Sequence, residues 1–290
     1  MRSVLVGLAL VALALAVAAT ATGSRDTEFQ AGACAKANLN LLEDGRLTLG
    51  TDNPAFPPWW GGGETRKPWK ISNPYSRQGY ESAVAYAVAR QLGFSKRQVD
   101  WRHVPFAQSY RPGDKDFDFY MAQVSYTPAR DNVVDFSNAY YFVNQALVGR
   151  EGTAIARART RSALRPYRLG AQLGTTSYQY IVKYVKPGST PAVFDSNADA
   201  VAALKNKQID GLVVDFPSTG YITAVQVPTS TVVGRLPTKG VKERFGLVFQ
   251  KGNSLVACVN GALAKMRSDG TLKRLEQRWL AQAGGAPILK

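Results

Sequence analysis

From residue 46 to residue 282 the chain alternates short apolar runs of strand character with helical stretches, and no other feature constrains the fold as strongly. Strands are expected over 46–51, 99–104, 117–124, 145–149, 167–171, 211–214 and 245–249. Helices are expected over 80–92, 178–184, 199–205, 254–265 and 272–282, the first stopped by Gly93 as a C-terminal cap. Residues 53–78 hold five prolines, three consecutive glycines and three tryptophans, the composition of an irregular loop. Alternating strands and helices pack as largely parallel sheets with helices on their faces, which makes the fold class α/β. Such sheets bind ligands at the carboxyl ends of their strands.

Polar residues stand at those ends: Asp52, Thr127 with Arg130, Thr175 with Thr176, and Asp215. Taken singly, each has a plain reading. Arg130 suits a surface ion pair, Thr176 a helix cap and Asp215 a cap at a strand end. Taken together they suit a zwitterionic amino acid. A guanidinium holds a carboxylate through two parallel hydrogen bonds, a helix start adds N–H donors, and a carboxylate meets the ammonium.

The order of motifs also resembles a known family. Asp52-x-x-x-Phe56-x-Pro58-Trp59, Gly79-Tyr80-Glu81, Thr127-x-x-Arg130, Val134-Asp135-Phe136-Ser137-x-x-Tyr140, Gly174-Thr175-Thr176 and Gly211-x-x-x-Asp215 follow one another as in family 3 extracellular solute-binding proteins. Gly270-Thr271-Leu272 with Trp279-Leu280 looks like that family's last helix, so the likeness spans about residues 40–282. The resemblance implies a periplasmic binding protein-like (type II) clamshell, with two α/β lobes joined by two hinge strands. Lobe 1 would be residues 40–145 plus 245–290 and lobe 2 residues 146–244. It also implies a polar amino acid as ligand and an ABC transporter permease as partner. By resemblance Arg130 binds the ligand carboxylate with help from Thr176, and Asp215 holds the ammonium. Gln123, Ser125 and Thr127 border the same strand end, Thr175 sits beside Thr176, and Phe56 with Trp59 and Asp52 faces the ligand side chain. Two departures stand out. Residues 60–76 lengthen a segment that is usually short, as a lid over the side-chain pocket or as a surface loop, and Ala83 replaces an acidic residue often found there.

The N-terminus points to export. Arg2 precedes an uncharged apolar run over 4–19, and Ala19-Thr20-Ala21 follows as a small-x-small cleavage signal. Residues 1–21 are therefore expected to be a signal peptide and 22–39 a flexible leader, with an uncleaved anchor as the alternative; Cys34 stands far from the run for a lipid-bearing cysteine. Outside the cytoplasm the two cysteines, Cys34 and Cys258, are expected to form a disulfide, against two buried thiols. With one histidine and no CxxC, no metal is expected, nor any cofactor. The net charge of +15 suits nucleic acid or an anionic surface, but the Arg157–Arg168 cluster lacks interleaved aromatics, so nucleic acid is not an expected partner. An exported, soluble monomer is expected. No Gly-x-Ser-x-Gly, P-loop or His-Glu-x-x-His occurs, which leaves an enzyme of the cyclohexadienyl dehydratase kind, with Glu64 or Glu81 as general acid, and a sensor for a signalling partner as the alternatives.

Overall fold

The computed structural model describes residues 32–281 and 285–290; the expected signal peptide and the leader up to residue 31 lie outside the described residues. Among the described residues the strands are β1 (Leu47–Thr51), β2 (Val99–His103), β3 (Phe119–Tyr120), β4 (Val134–Phe136), β5 (Tyr141–Phe142) and β6 (Gln145–Arg150). They continue with β7 (Leu169–Gln172), β8 (Ala192–Phe194), β9 (Gly211–Asp215), β10 (Ser230–Arg235), β11 (Arg244–Phe245) and β12 (Val248–Gln250).

Two five-stranded sheets make the two lobes of a clamshell, in the orders β2-β1-β3-β12-β4 and β10-β6-β9-β7-β8. In the first, β1 pairs in parallel with β2 and β3, and β12 runs antiparallel between β3 and β4. In the second, β7 pairs in parallel with β8 and β9, and β6 runs antiparallel between β9 and β10. The sequence explains the central strands. Every residue of β1 is buried, Thr48 and Thr51 included, and so are Gly211–Val214 of β9, an unbroken apolar run. The chain passes between the lobes through β5 and β11, which pair antiparallel as a two-stranded ribbon.

Helix Tyr80–Gln91 covers the first sheet with Tyr80, Val84, Ala85, Val88 and Ala89, an i, i+4 stripe. Burying a valine such as Val84 or Val88 contributes about 1.5–3 kcal/mol. Helices Leu255–Ser268 and Thr271–Leu280 pack beside it. Cys34 and Cys258 are disulfide-bonded, with their Cα atoms 5.3 Å apart, so residue 34 of the expected leader is fastened to helix Leu255–Ser268.

Three local expectations change. The strand expected over 117–124 is ladder-paired only at Phe119–Tyr120, because Gln123 turns into the left-handed region (φ 53°). The helix expected over 178–184 starts at Thr176 and widens into a π-helix at Ile181–Val185. Finally, the last residues, expected with lobe 1, join the second sheet. Arg235 donates to the Pro287 carbonyl at 2.7 Å, Leu289 donates to the Arg235 carbonyl at 2.9 Å, and the Leu289 side chain is buried in the second lobe. An apolar residue five or fewer from the end had a core to enter there. Among the described residues no helix is long and apolar enough to cross a membrane.

Residues 60–76 run over the first lobe as a largely exposed loop, 63–68 at the surface, pinned to the core by two tryptophans. Trp60 and Trp69 are buried in the first lobe's core, Trp60 meets Trp101 edge to face at 5.2 Å, and Arg66 stacks on Tyr75. Asn53 fastens the segment at both sides, donating to the Pro68 carbonyl at 3.0 Å and accepting from the Lys70 N–H at 2.9 Å. Gly79 permits the close approach. A Cβ there would stand 2.5 Å from the Trp59 carbonyl, and its φ of +86° is one that glycine adopts freely.

Candidate functional site

A cleft between the lobes is lined by Asp52, Phe56, Gln123, Ser125 and Arg130 from the first and by Thr175, Thr176 and Asp215 from the second. Trp60, Phe106, Gln172, Ser196 and Asn197 are among the other lining residues. Eight of the ten residues expected at the site thus share one cavity. Trp59 and Thr127 do not line it.

Arg130 lies in the turn Pro128–Asp131, which begins with a proline and is capped by Thr127, whose hydroxyl accepts from the Arg130 N–H at 3.2 Å. Capping, then, is what the Thr127 side chain does. Arg130 as a whole is 6% exposed, which no surface ion-pair residue would be. Its guanidinium donates to the Ser125 carbonyl at 2.5 Å and to the Gly174 carbonyl, in the other lobe, at 2.8 Å. Its plane lies over Tyr110 at 4.3 Å and Phe106 at 5.5 Å. Burial pulls its proton affinity below the ordinary arginine value, and Tyr110, Glu243 and Asp215 offset part of that. Gly174 comes close to Tyr110: a Cβ would meet the phenol oxygen at 2.5 Å.

Asp215 ends β9 opposite Gln145 of β6, and its Oδ1 accepts from the Gln145 side-chain amide at 2.7 Å. Burial, with the Glu243 carboxylate nearby, pushes its carboxyl well above the usual range. A cation brought to this position would restore the ionised form. Thr175 caps the helix Thr176–Tyr180, accepting from the Tyr178 N–H and donating to the Gln172 carbonyl at 2.7 Å. The Thr176 hydroxyl donates to Glu243 at 2.6 Å.

At the far end, Asp52 accepts from the Asn53 N–H at 2.8 Å and faces His103 at 3.6 Å. Burial raises its carboxyl, while the Asn53 N–H and His103 lower it. Phe56 approaches Tyr221 of the second lobe, ring centroids 6.3 Å apart. Trp59 stands behind this wall, 1% exposed, edge to face with Tyr80, Tyr141 and Phe245. Its indole N–H donates across the lobes to Ser218 at 2.8 Å. Its size and shape make it part of the core, where the sequence reading expected a ligand contact.

A model of the bacterial extracellular solute-binding proteins, family 3, matches residues 60–282. The chain belongs to this family. Among its curated relatives, the ABC transporter glutamine-binding protein GlnH of Bacillus subtilis (strain 168) is 26% identical over 221 residues, covering 73% of this chain and 77% of the relative. The L-cystine-binding protein TcyJ of Escherichia coli (strain K12) is 27% identical over 256 residues, 86% of each. Among solved structures, an ancestral arginine-binding protein bound to glutamine superposes with a TM-score of 0.66 at 27% identity, covering 83% of this chain and 100% of that one.

In this family 3 chain, Glu81 supports the cleft floor from below. Its Oε1 accepts from the Gln123 N–H at 2.7 Å and from the Tyr140 hydroxyl, and its Oε2 accepts from the Gln123 side-chain amide. A non-glycine residue in the left-handed region costs about 1–3 kcal/mol, and these bonds hold Gln123 there. Glu81 is wholly buried, which pushes its carboxyl up to about 7 despite the bonds from Tyr140 and Gln123. The folded state therefore keeps this proton more tightly than the unfolded chain, whose value is 4.5. The stabilisation from protonation is complete below about pH 4.5 and is lost as pH rises through 7, amounting to on the order of 3 kcal/mol. Glu81→Gln should flatten this part of the profile, so the gap in unfolding free energy between variant and wild type, read from urea titrations, should change by that amount between pH 4.5 and 8. Glu64, the other acid considered at sequence level, lies in the 60–76 segment and accepts from the Ile71 N–H at 2.8 Å.

Glu243, Gln145, Tyr110 and Phe106 went unmarked in the sequence. Glu243 sits in Lys242-Glu243-Arg244, which reads as a solvated charge run, and Tyr110 precedes Arg111-Pro112-Gly113, a turn signal. Only the return of β11 to β5 brings Glu243 inward, with its carbonyl accepting from the Val143 N–H at 3.1 Å. Among the described residues no group of three or more His, Cys, Asp or Glu is arranged to hold a metal ion.

Proposed function

We propose that this chain is an extracytoplasmic receptor that captures a free amino acid between its lobes and hands it, without turnover, to an ABC transporter permease. One observation carries the reading: Arg130 and Asp215, a cation and an acid from different lobes, line one cleft. A zwitterion satisfies both only when the lobes meet, so binding favours the closed form by its differential affinity. Membership in family 3 and the amino acids named for its relatives support this reading. Lobe 1 is taken as residues 40–145 plus 245–281, lobe 2 as 146–244 with the last five residues, and the receptor as a monomer. Arg130 takes the α-carboxylate, Asp215 the ammonium, and Asp52, Phe56 and Trp60 the side chain. Export by the N-terminal segment puts the receptor where a permease is loaded. The reading as a binder fits the carboxylates too: Glu81 is committed to Gln123 and Tyr140, and Glu64 to its own loop.

A thermal-shift screen with the twenty amino acids tests the proposal. A ligand at about a thousand times its Kd adds about 4 kcal/mol. For a chain of this size that raises Tm by on the order of ten degrees. At least one amino acid should do so. No shift with any of them would contradict the reading.

A further inference from the structure

The hinge carries an acid that the amino acid site does not use directly. Glu243 Oε1 accepts from the Ser125 hydroxyl at 2.5 Å and from the Thr176 hydroxyl at 2.6 Å, one from each lobe. The Gln145 amide donates to the same carboxylate at 3.1 and 3.2 Å, and to Asp215 at 2.7 Å. The Ser177 hydroxyl donates to the Gln145 carbonyl oxygen at 2.6 Å, which turns the amide nitrogen toward the two acids. A carboxylate has no proton to give, so in both short contacts the hydroxyls are donors. The two lengths lie in the range of hydroxyl-to-carboxylate bonds.

We propose that Glu243 is a positioning residue of the amino acid site: by taking the Ser125 and Thr176 protons it turns both hydroxyl oxygens toward the cleft as acceptors. Resting on the function proposed above, it makes the hinge end of the cleft an acceptor surface, formed by Ser125, Thr176 and Asp215, that takes the ligand's ammonium and refuses a carboxylate. The carboxylate is left to Arg130, and the Thr176 hydroxyl, which the family resemblance assigns to the carboxylate, serves the ammonium instead because its proton is held by Glu243. Glu243 touches no ligand and acts through the hydroxyls it holds. Those hydroxyls reach it together only when the lobes meet, because Ser125 follows β3 of the first lobe and Thr176 follows β7 of the second.

The test is calorimetric titration with L-arginine and L-glutamine, each against its deaminated counterpart, δ-guanidinovalerate and glutaramate. In Glu243→Gln the charge is lost, and an amide nitrogen in place of Oε2 faces the Gln145 amide donor against donor, which weakens and displaces the one oxygen that both hydroxyls use. Binding of the amino acid that wild type prefers should fall at least about tenfold, while its deaminated counterpart changes less than about threefold. Ser125→Ala should cost markedly less in the Glu243→Gln background than in wild type, because the two residues act through one hydrogen bond. Glu243→Ala serves as a second variant, with its melting curve checked for folding. Equal losses for both members of a pair, or additive effects of the two substitutions, would overturn the inference while leaving the amino acid reading intact. Where the thermal-shift screen selects another amino acid, the same titration uses that one and its deaminated form; wild type that binds none of the twenty would overturn that reading and the inference with it.

Discussion

Arg130→Ala should abolish amino acid binding, with affinity falling about a thousandfold, or roughly 4 kcal/mol. The magnitude follows from burial. Arg130 as a whole is 6% exposed, so a ligand carboxylate deprived of its guanidinium meets no water to replace the lost bonds. The structure adds a second consequence that sequence reasoning did not foresee. Arg130 also joins the lobes by donating to Ser125 and Gly174 carbonyls, and it fills the space beneath Tyr110 and Phe106. The alanine variant should therefore melt lower than wild type even without ligand. Arg130→Lys separates the two effects. It keeps the charge and much of the stem but loses the planar fork, so it should retain the fold and still bind at least tenfold more weakly, about 1.4 kcal/mol. Titration calorimetry reads the affinities and circular dichroism the melting. An alanine variant that binds as tightly as wild type would remove Arg130 from the site.

Asp215 carries the second large effect, and it is a pH effect. Burial and the Glu243 carboxylate hold the Asp215 carboxyl well above the ordinary aspartate range, so it takes up a proton at higher pH than a solvated aspartate. An ammonium ligand needs the ionised form. The sign follows: affinity is full above the raised value and falls as pH drops through it, by up to about tenfold per pH unit, with proton release on binding below it. Asp215→Asn keeps the bond from Gln145 but not the charge. It should weaken binding about a hundredfold at high pH and flatten the profile, so the two proteins converge in acid. Titration across a pH series in buffers of different ionisation heat measures affinity and released protons together. A wild-type affinity that rises toward acid would contradict the assignment of the ammonium to Asp215.

The alternation of strand and helix was enough to reach an α/β fold: buried β9 is the apolar run Gly211–Val214, and buried β1 alternates leucine with threonine and glycine. Residues at strand ends were legible for the same reason. Arg130, Thr176 and Asp215 each follow such a run, and the cleft collects them. What local pattern does not encode is burial created by distant chain. Trp59 looked like a pocket aromatic but packs into the ring cluster of Tyr80, Tyr141 and Phe245, residues up to 186 positions away that only the closing ribbon brings near. Thr127 looked like a ligand contact beside Arg130, whereas it does not line the cleft and its hydroxyl accepts from the turn it caps. Glu243 was hidden between two basic neighbours, and its inward direction depends on a ribbon pairing of β11 with β5, a hundred residues earlier in the chain. The 60–76 segment was open between lid and surface loop; it is an exposed loop held to the first lobe by buried tryptophans and the paired bonds of Asn53, and only its Trp60 reaches the cleft.

The central claim is that Arg130 and Asp215 grip the two ends of one amino acid. Titration calorimetry on the amino acid giving the largest thermal shift tests it most directly, run beside its α-methyl ester and its deaminated form. One molecule per chain should bind, and both altered ligands should bind at least about a hundredfold more weakly, each having lost one charged contact. An ester and a deaminated acid that bind as tightly as the parent amino acid would contradict it.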